Sequence, residues 1–138
     1  MSAIATNGLH LPSKTENISA VESLVDSVCG EYKVHEDFYG NILIALTEAV
    51  TNAIQHGNKY DSKKFFDVEL KQIDEGIKFL VKDEGDGFDF QNLPDPTDPE
   101  NIEKIHGRGI YLMKHLADRV EFYDNGRTVE LNFSINPN

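Results

Sequence analysis

Two doubled runs of alternating residues constrain this chain more than any other feature. Phe66, Val68 and Leu70 alternate with Asp67, Glu69 and Lys71; after Asp74-Glu75-Gly76, Ile77, Phe79 and Val81 resume the same period of two. Side chains of a strand point alternately to its two faces, so each run is apolar on one side and polar on the other. The short glycine-containing link makes the pair a hairpin. A second hairpin follows in Val120 and Phe122, an Asn125-Gly126 turn, then Val129, Leu131, Phe133 and Ile135. Strands with one apolar face need helices to cover that face.

The helices are also legible. Gly8–Pro12 reads as a short first strand, and Ser13-Lys14-Thr15-Glu16 has the pattern of a capping box before Ile18, Val21, Leu24, Val25 and Val28, a helix ending near Gly30. A second helix is expected from His35–Asp37 to His56, stopped by Gly57-Asn58. On it Ile42, Ala45, Leu46, Ala49 and Ala53 fall within an arc of about 100°, with Glu48 and Asn52 just outside one edge. A third helix is expected at roughly Gly109–Ala117. The order β-α-α-β-β-α-β-β predicts an α+β fold: a two-layer α/β sandwich with a mixed, mostly antiparallel sheet and helices on one face.

The 138 residues suit one domain, 1–138, with no repeat or linker dividing them. Thirteen Lys plus Arg against 24 Asp plus Glu leave a net charge of −11. That balance argues against direct nucleic-acid or anionic-membrane binding, which needs a basic face, and favours basic protein surfaces as partners. The most apolar run, Ile42–Leu46, is cut by Thr47 and Glu48, far short of the about 20 residues that span a bilayer. Met1–Lys14 lacks a charged region followed by an apolar one, and the lone Cys29 has no internal partner. The expectation is a soluble cytoplasmic protein, with Cys29 a small buried or half-buried hydrophobe.

Between the hairpins lies a long Gly/Pro/Asp segment, Asp83–His106. Asp83 through Glu103 carries eight carboxylates and no Lys or Arg. A connection this long is usually a lid, a binding loop or a disordered stretch, and its composition suits a solvated loop equally well. Its flanks hold candidate chemistry. In Asp83-Glu84-Gly85-Asp86-Gly87-Phe88, directly after a strand, alternate glycines let a flat ligand approach the backbone, and a carboxylate at the strand end can accept a hydrogen bond from a ligand amino group. An EF-hand is excluded, because the twelfth position from Asp83 is Pro94. Gly107-Arg108-Gly109 precedes Ile110-Tyr111-Leu112-Met113; glycines at a helix mouth leave N–H groups open to phosphate, although Gly107 could merely end the loop. Glu48 and Asn52, four residues apart, share a helix face and can hold a water or hydroxyl and a hard ion such as Mg2+. The ordinary alternative is two polar residues at the margin of a buried face. For His56 that alternative is a helix-end cation satisfying carbonyls.

Taken in order, Glu48-x-x-x-Asn52-x-x-x-His56-Gly57, Asp83-x-Gly85-x-Gly87 and Gly107-x-Gly109 resemble the nucleotide site of the Bergerat-fold, or GHKL, ATPase superfamily. Glu-Ala-Val-Thr-Asn-Ala-Ile-Gln-His-Gly-Asn at 48–58 and the short length are similar to the anti-sigma-factor serine kinase branch, the RsbW-like proteins. Histidine kinases usually carry a basic residue three places after the metal-binding Asn, where this chain has Gln55.

The resemblance implies ATP and Mg2+ as cofactors. It assigns Asn52 to the Mg2+ bridging the phosphates, Glu48 to the general base, Asp83 to the adenine amino group, Gly85 and Gly87 to close approach of the base, and Gly107, Arg108 and Gly109 to the phosphates. Residues 88–106 become the ATP lid. It further implies a protein serine/threonine kinase that phosphorylates a small anti-sigma-factor antagonist and binds a sigma factor, in a homodimer. The other reading keeps the ATP site without catalysis, as a nucleotide-gated module that sequesters a regulatory protein.

Overall fold

A computed structural model describes residues 8–74, 76–91 and 105–135. Its elements are β1 (Gly8–Pro12), α1 (Ile18–Glu31), α2 (Glu36–Asn52), β2 (Phe65–Ile73), β3 (Gly76–Lys82), α3 (Ile105–Leu116), β4 (Arg119–Tyr123) and β5 (Thr128–Ser134). The strands form one sheet in the order β1-β2-β3-β5-β4. Every pairing in it is antiparallel, so the expected mostly antiparallel sheet is antiparallel throughout.

The register explains the core. Val68 pairs with Val81, Leu70 with Phe79, Phe79 with Leu131 and Ile77 with Phe133. These residues and Phe66 are buried, while Asp67, Glu69, Lys78, Lys82 and Glu130 lie on the opposite face. Two ion pairs, Lys78–Glu130 and Lys82–Glu69, cross that outer face. The α+β two-layer arrangement is therefore dictated by a period of two that matches across adjacent strands.

Helix α2 lies between α1 and α3 against the sheet. Ile42, Ala45, Leu46, Ala49 and Ala53 are buried as their arc requires, and Val50 and Ile54 are buried too. The apolar face is wider than the sequence arc because α2 has neighbours on both flanks as well as beneath it. Its partner α1 buries Val21, Leu24, Val25, Val28 and Cys29; burial pushes the Cys29 thiol above its ordinary pKa, with Asp26 adding to the rise.

Two local expectations are corrected. Ser13 and Glu16 form no capping box: the Ser13 hydroxyl donates to Lys64 O at 2.8 Å, and a 3-10 turn at Thr15–Asn17 leads into α1. Helix α3 begins at Ile105 rather than Gly109, so Gly107, Arg108 and Gly109 lie within its first turns instead of preceding it. The second helical stretch ends at Gly57-Asn58 as expected, with α2 reaching Asn52 and a π turn over Ala53–Gly57 closing it. Of the expected lid, residues 92–104 lie outside the described residues, as does Glu75 in the first hairpin turn. The second turn carries positive φ at Asp124, Asn125 and Gly126, residue types that tolerate it.

Asn58, only 1% exposed, joins four element ends. Its Nδ2 donates to Ser13 Oγ at 2.7 Å, after β1, and to Phe65 O at 3.0 Å, the start of β2. Its Oδ1 accepts Glu84 N–H at 2.8 Å, after β3, and its own N–H donates to Ala53 O, closing the π turn. Truncation would leave several buried polar groups without partners, each costing about 1–3 kcal/mol. Asn58→Ala is therefore expected to lose about 2–4 kcal/mol in urea unfolding; a loss below about 0.5 kcal/mol, the usual surface value, would show that the junction does not depend on this carboxamide.

Candidate functional site

The candidate site lies where the end of α2, the end of β3 and the β4–β5 turn converge. A backbone bond closes the strand side, with Asp83 N–H donating to Arg127 O at 3.0 Å. The Asp83 Oδ1 accepts Gly85 N–H at 2.8 Å, folding the loop back beneath the carboxylate. Two tight approaches follow. A methyl group on Gly85 would sit 2.1 Å from Gly57 O, and one on Gly57 would sit 2.4 Å from Asp83 Cγ. Neither position has room for a side chain. Gly87 adopts φ +82°, with its pro-Cβ direction 2.1 Å from Asn125 O, while Phe88 N–H donates to that same oxygen.

Asn52, His56, Gly57, Asp83, Gly87, Phe88 and Gly126 line one cleft. Its volume is about 30 Å3, the scale of a water rather than a purine ring, and Phe88 packs on Gly126 at its edge. Beside it, a wider open depression of about 570 Å3 runs over Asp86–Gln91 and Asn125.

Glu48 and Asn52 come from the middle and end of α2, both half-buried. Gly109 on α3 faces them: a methyl there would lie 3.1 Å from Glu48 Oε1 and 3.2 and 3.3 Å from the Asn52 amide atoms. The structure thus brings together Glu48, Asn52 and Gly109 at one end, and Asp83, Gly85 and Gly87 with Asn52 at the other. The side chain of Arg108, and Gly107 beyond its place in the helix backbone, lie outside the described residues.

Burial pushes the Asp83 carboxyl above its ordinary pKa; the Gly85 N–H and the charges of Arg127 and Lys64 oppose the rise, and Asp124 adds to it. Burial lowers the His56 ring below the ordinary histidine value. That direction works against the helix-end cation expected at this position.

The donor set fits an aminopurine and a shared Mg2+. A carboxylate at a strand end beside side-chain-free backbone offers an acceptor and a flat approach. Among the described residues no group of three or more His, Cys, Asp or Glu is placed to hold a metal; an ion here would take one carboxamide oxygen and complete its shell with phosphate and water, as Mg2+ commonly does.

Sequence reasoning missed Arg127, Asn125 and Asn58. Arg127 Nε donates to Gly85 O at 2.8 Å, and Asn125 Nδ2 to Asp86 O at 3.4 Å. The Asn-Gly pair signalled a turn but not that the turn would pack on a loop 39 residues earlier. No local pattern marks Arg127.

A family model described as the histidine kinase-like ATPase domain matches residues 11–133. The chain is 29% identical over 135 residues to the serine-protein kinase RsbW of Bacillus velezensis, covering 93% of this chain and 84% of that protein. Its identity to the Bacillus subtilis protein of the same name is 28% over 135 residues, with the same coverage. With that of Staphylococcus epidermidis it is 29% over 131 residues, 89% of this chain and 82% of the relative. Among solved structures, the RsbU and RsbW domains of Rv1364c from Mycobacterium tuberculosis match with a TM-score of 0.62 and 19% identity. That match covers 93% of this chain and 32% of the larger one, and at such identity it speaks to the fold alone.

The Asp83 shift has a sign for stability. A carboxyl whose folded pKa is raised favours folding while protonated, and that contribution is lost as pH rises through the folded pKa. The ionised group is therefore a cost near neutral pH. Asp83→Asn is expected to unfold at a higher temperature than the parent at pH 7, with the difference vanishing toward about pH 3; an equal or lower Tm at pH 7 would contradict a buried, costly carboxylate.

Proposed function

This chain belongs to the histidine kinase-like ATPase domain family, and from that premise we propose that it is an ATP- and Mg2+-dependent protein serine/threonine kinase and anti-sigma factor. In this reading it acts in the cytoplasm, phosphorylates a small anti-sigma-factor antagonist and binds a sigma factor. Its likeness to serine-protein kinases of the RsbW type supports the reaction class. The observation that carries the proposal is Gly109 lying against both Glu48 and Asn52, because it sets the start of one helix beside a carboxylate and a carboxamide on another.

Each residue then has a physical task. Asp83 accepts a hydrogen bond from the adenine amino group, and Gly85 and Gly87 leave the backbone open for the base. Asn52 would hold Mg2+ through its amide oxygen, and the ion would supply charge neutralisation at the phosphates. Gly107 falls in the first turn of α3, where backbone N–H groups lack intrahelical acceptors and favour phosphate; Arg108 adds its charge for the same phosphates, and Gly109 contributes by leaving space beside Glu48. Mg-ATP supplies the transferable phosphoryl group and much of the charge neutralisation. Glu48 accepts the proton of the incoming serine or threonine hydroxyl. The whole chain, 1–138, acts as one ATP-binding domain with residues 88–106 as its lid.

Incubation with Mg-ATP and a cognate antagonist tests this. Glu48→Gln should retain ADP binding while phosphoryl transfer falls by about 10^2- to 10^4-fold. Transfer at the parent rate would remove Glu48 as the base. Nucleotide uptake by the parent protein with no phosphoprotein formed would replace the kinase with a nucleotide-gated binding module.

A further inference from the structure

We propose that Arg127 is a positioning residue for nucleotide recognition: its guanidinium ties the Gly85 carbonyl to the β4–β5 turn and so holds the Asp83–Gly87 loop in the shape that reads a 6-aminopurine. The inference rests on the nucleotide reading of this cleft, but it concerns a residue to which neither motif nor resemblance assigns a role.

The geometry is specific. Arg127 Nε donates to Gly85 O at 2.8 Å, and Nη1 donates to Asp124 O at 3.1 Å and Asp124 Oδ1 at 3.3 Å. The backbone of the same residue accepts Asp83 N–H and donates to Asp124 O. One residue therefore fixes both sides of the Asp83 carboxylate, through its own carbonyl before Asp83 and through Gly85 after it. Gly85 is buried with its Cα packed against Gly57 O, and its carbonyl accepts from Arg127 Nε. The ion pair with Asp124 is partly solvated, with side chains 34% and 66% exposed, and by itself contributes little. The bond to Gly85 is the one that reaches the site.

Charge acts in the same direction. His56 borders the cleft from the end of α2, Lys64 precedes β2, Glu84 and Asp86 lie on the loop itself, and Asp124 and Arg127 come from the turn. Arg127 and Lys64 are the cations that favour an ionised Asp83. Of these two only Arg127 is hydrogen-bonded into the loop. Its planar fork serves two acceptors at a fixed angle, which a lysine ammonium cannot reproduce.

Calorimetric titration of ADP and IDP into the full chain tests the proposal, because IDP lacks the amino group that Asp83 would read. The parent should favour ADP. Arg127→Ala should weaken ADP binding by about 10- to 100-fold and IDP binding much less, narrowing the ratio between them. Arg127→Lys, which keeps the charge but not the fork, should recover only part of that ratio. Should Arg127→Ala fail to fold by circular dichroism, Arg127→Lys and Arg127→Gln carry the same comparison. Equal weakening of both nucleotides, or an unchanged ratio, in folded variants would overturn the proposal by reducing Arg127 to a general brace. No nucleotide uptake by the parent would instead overturn the nucleotide reading itself.

Discussion

The site depends on one buried carboxamide. Asn58 takes hydrogen bonds to Ser13, Phe65 and Glu84 at once, three positions far apart in sequence. The ends of β1, α2 and β3 and the start of β2 are thereby held at fixed separations. A fully satisfied buried polar network of this kind specifies one geometry, because any shift leaves a polar group without a partner in a medium that cannot replace it. Only with those separations fixed can Gly57 O lie beneath Gly85 and the Asp83 carboxylate stand over Gly57.

From that junction the two ends of the site differ in material. The Asp83 end is mostly backbone: Gly57, Gly85, Gly87 and the Asn125 carbonyl, with one carboxylate among them. Backbone packed this closely has little freedom, which suits recognition of a rigid base. The other end consists of half-buried side chains on α2 facing α3. Side chains there can adjust to an ion and to phosphates, which suits the proposed transfer step. The elevated Asp83 pKa shows what the rigid end costs, since a buried carboxylate without a full ion pair opposes folding when ionised. Stability must come from elsewhere, chiefly the apolar layer between sheet and helices.

Much of this was readable without coordinates. The hairpins followed from a period of two, and the buried residues of α1 and α2 from helical spacing, because burial on one face leaves a repeating mark. Glu48 and Asn52 were placed on a shared face by the same geometry. The errors fell where a long-range interaction displaced a local one. Ser13 has the right neighbour for a capping box, yet its hydroxyl bonds to Lys64 O, 51 residues away. Gly107 and Gly109 look like the end of a loop, yet they lie in helix; at Gly109 the reason is spatial, since a larger residue would press on Glu48 and Asn52.

The amino-acid order alone determined which residues face inward, how many layers result, and which polar types stand at the strand and helix ends, because periodicity and turn chemistry act over a few residues. Tertiary structure alone decided that the Asn125–Arg127 turn closes over the Asp83 loop, that α3 starts early enough to lay Gly109 on α2, and that burial lowers the His56 pKa. Those outcomes depend on distances and solvent exclusion between segments tens of residues apart, quantities that no local stretch of sequence encodes.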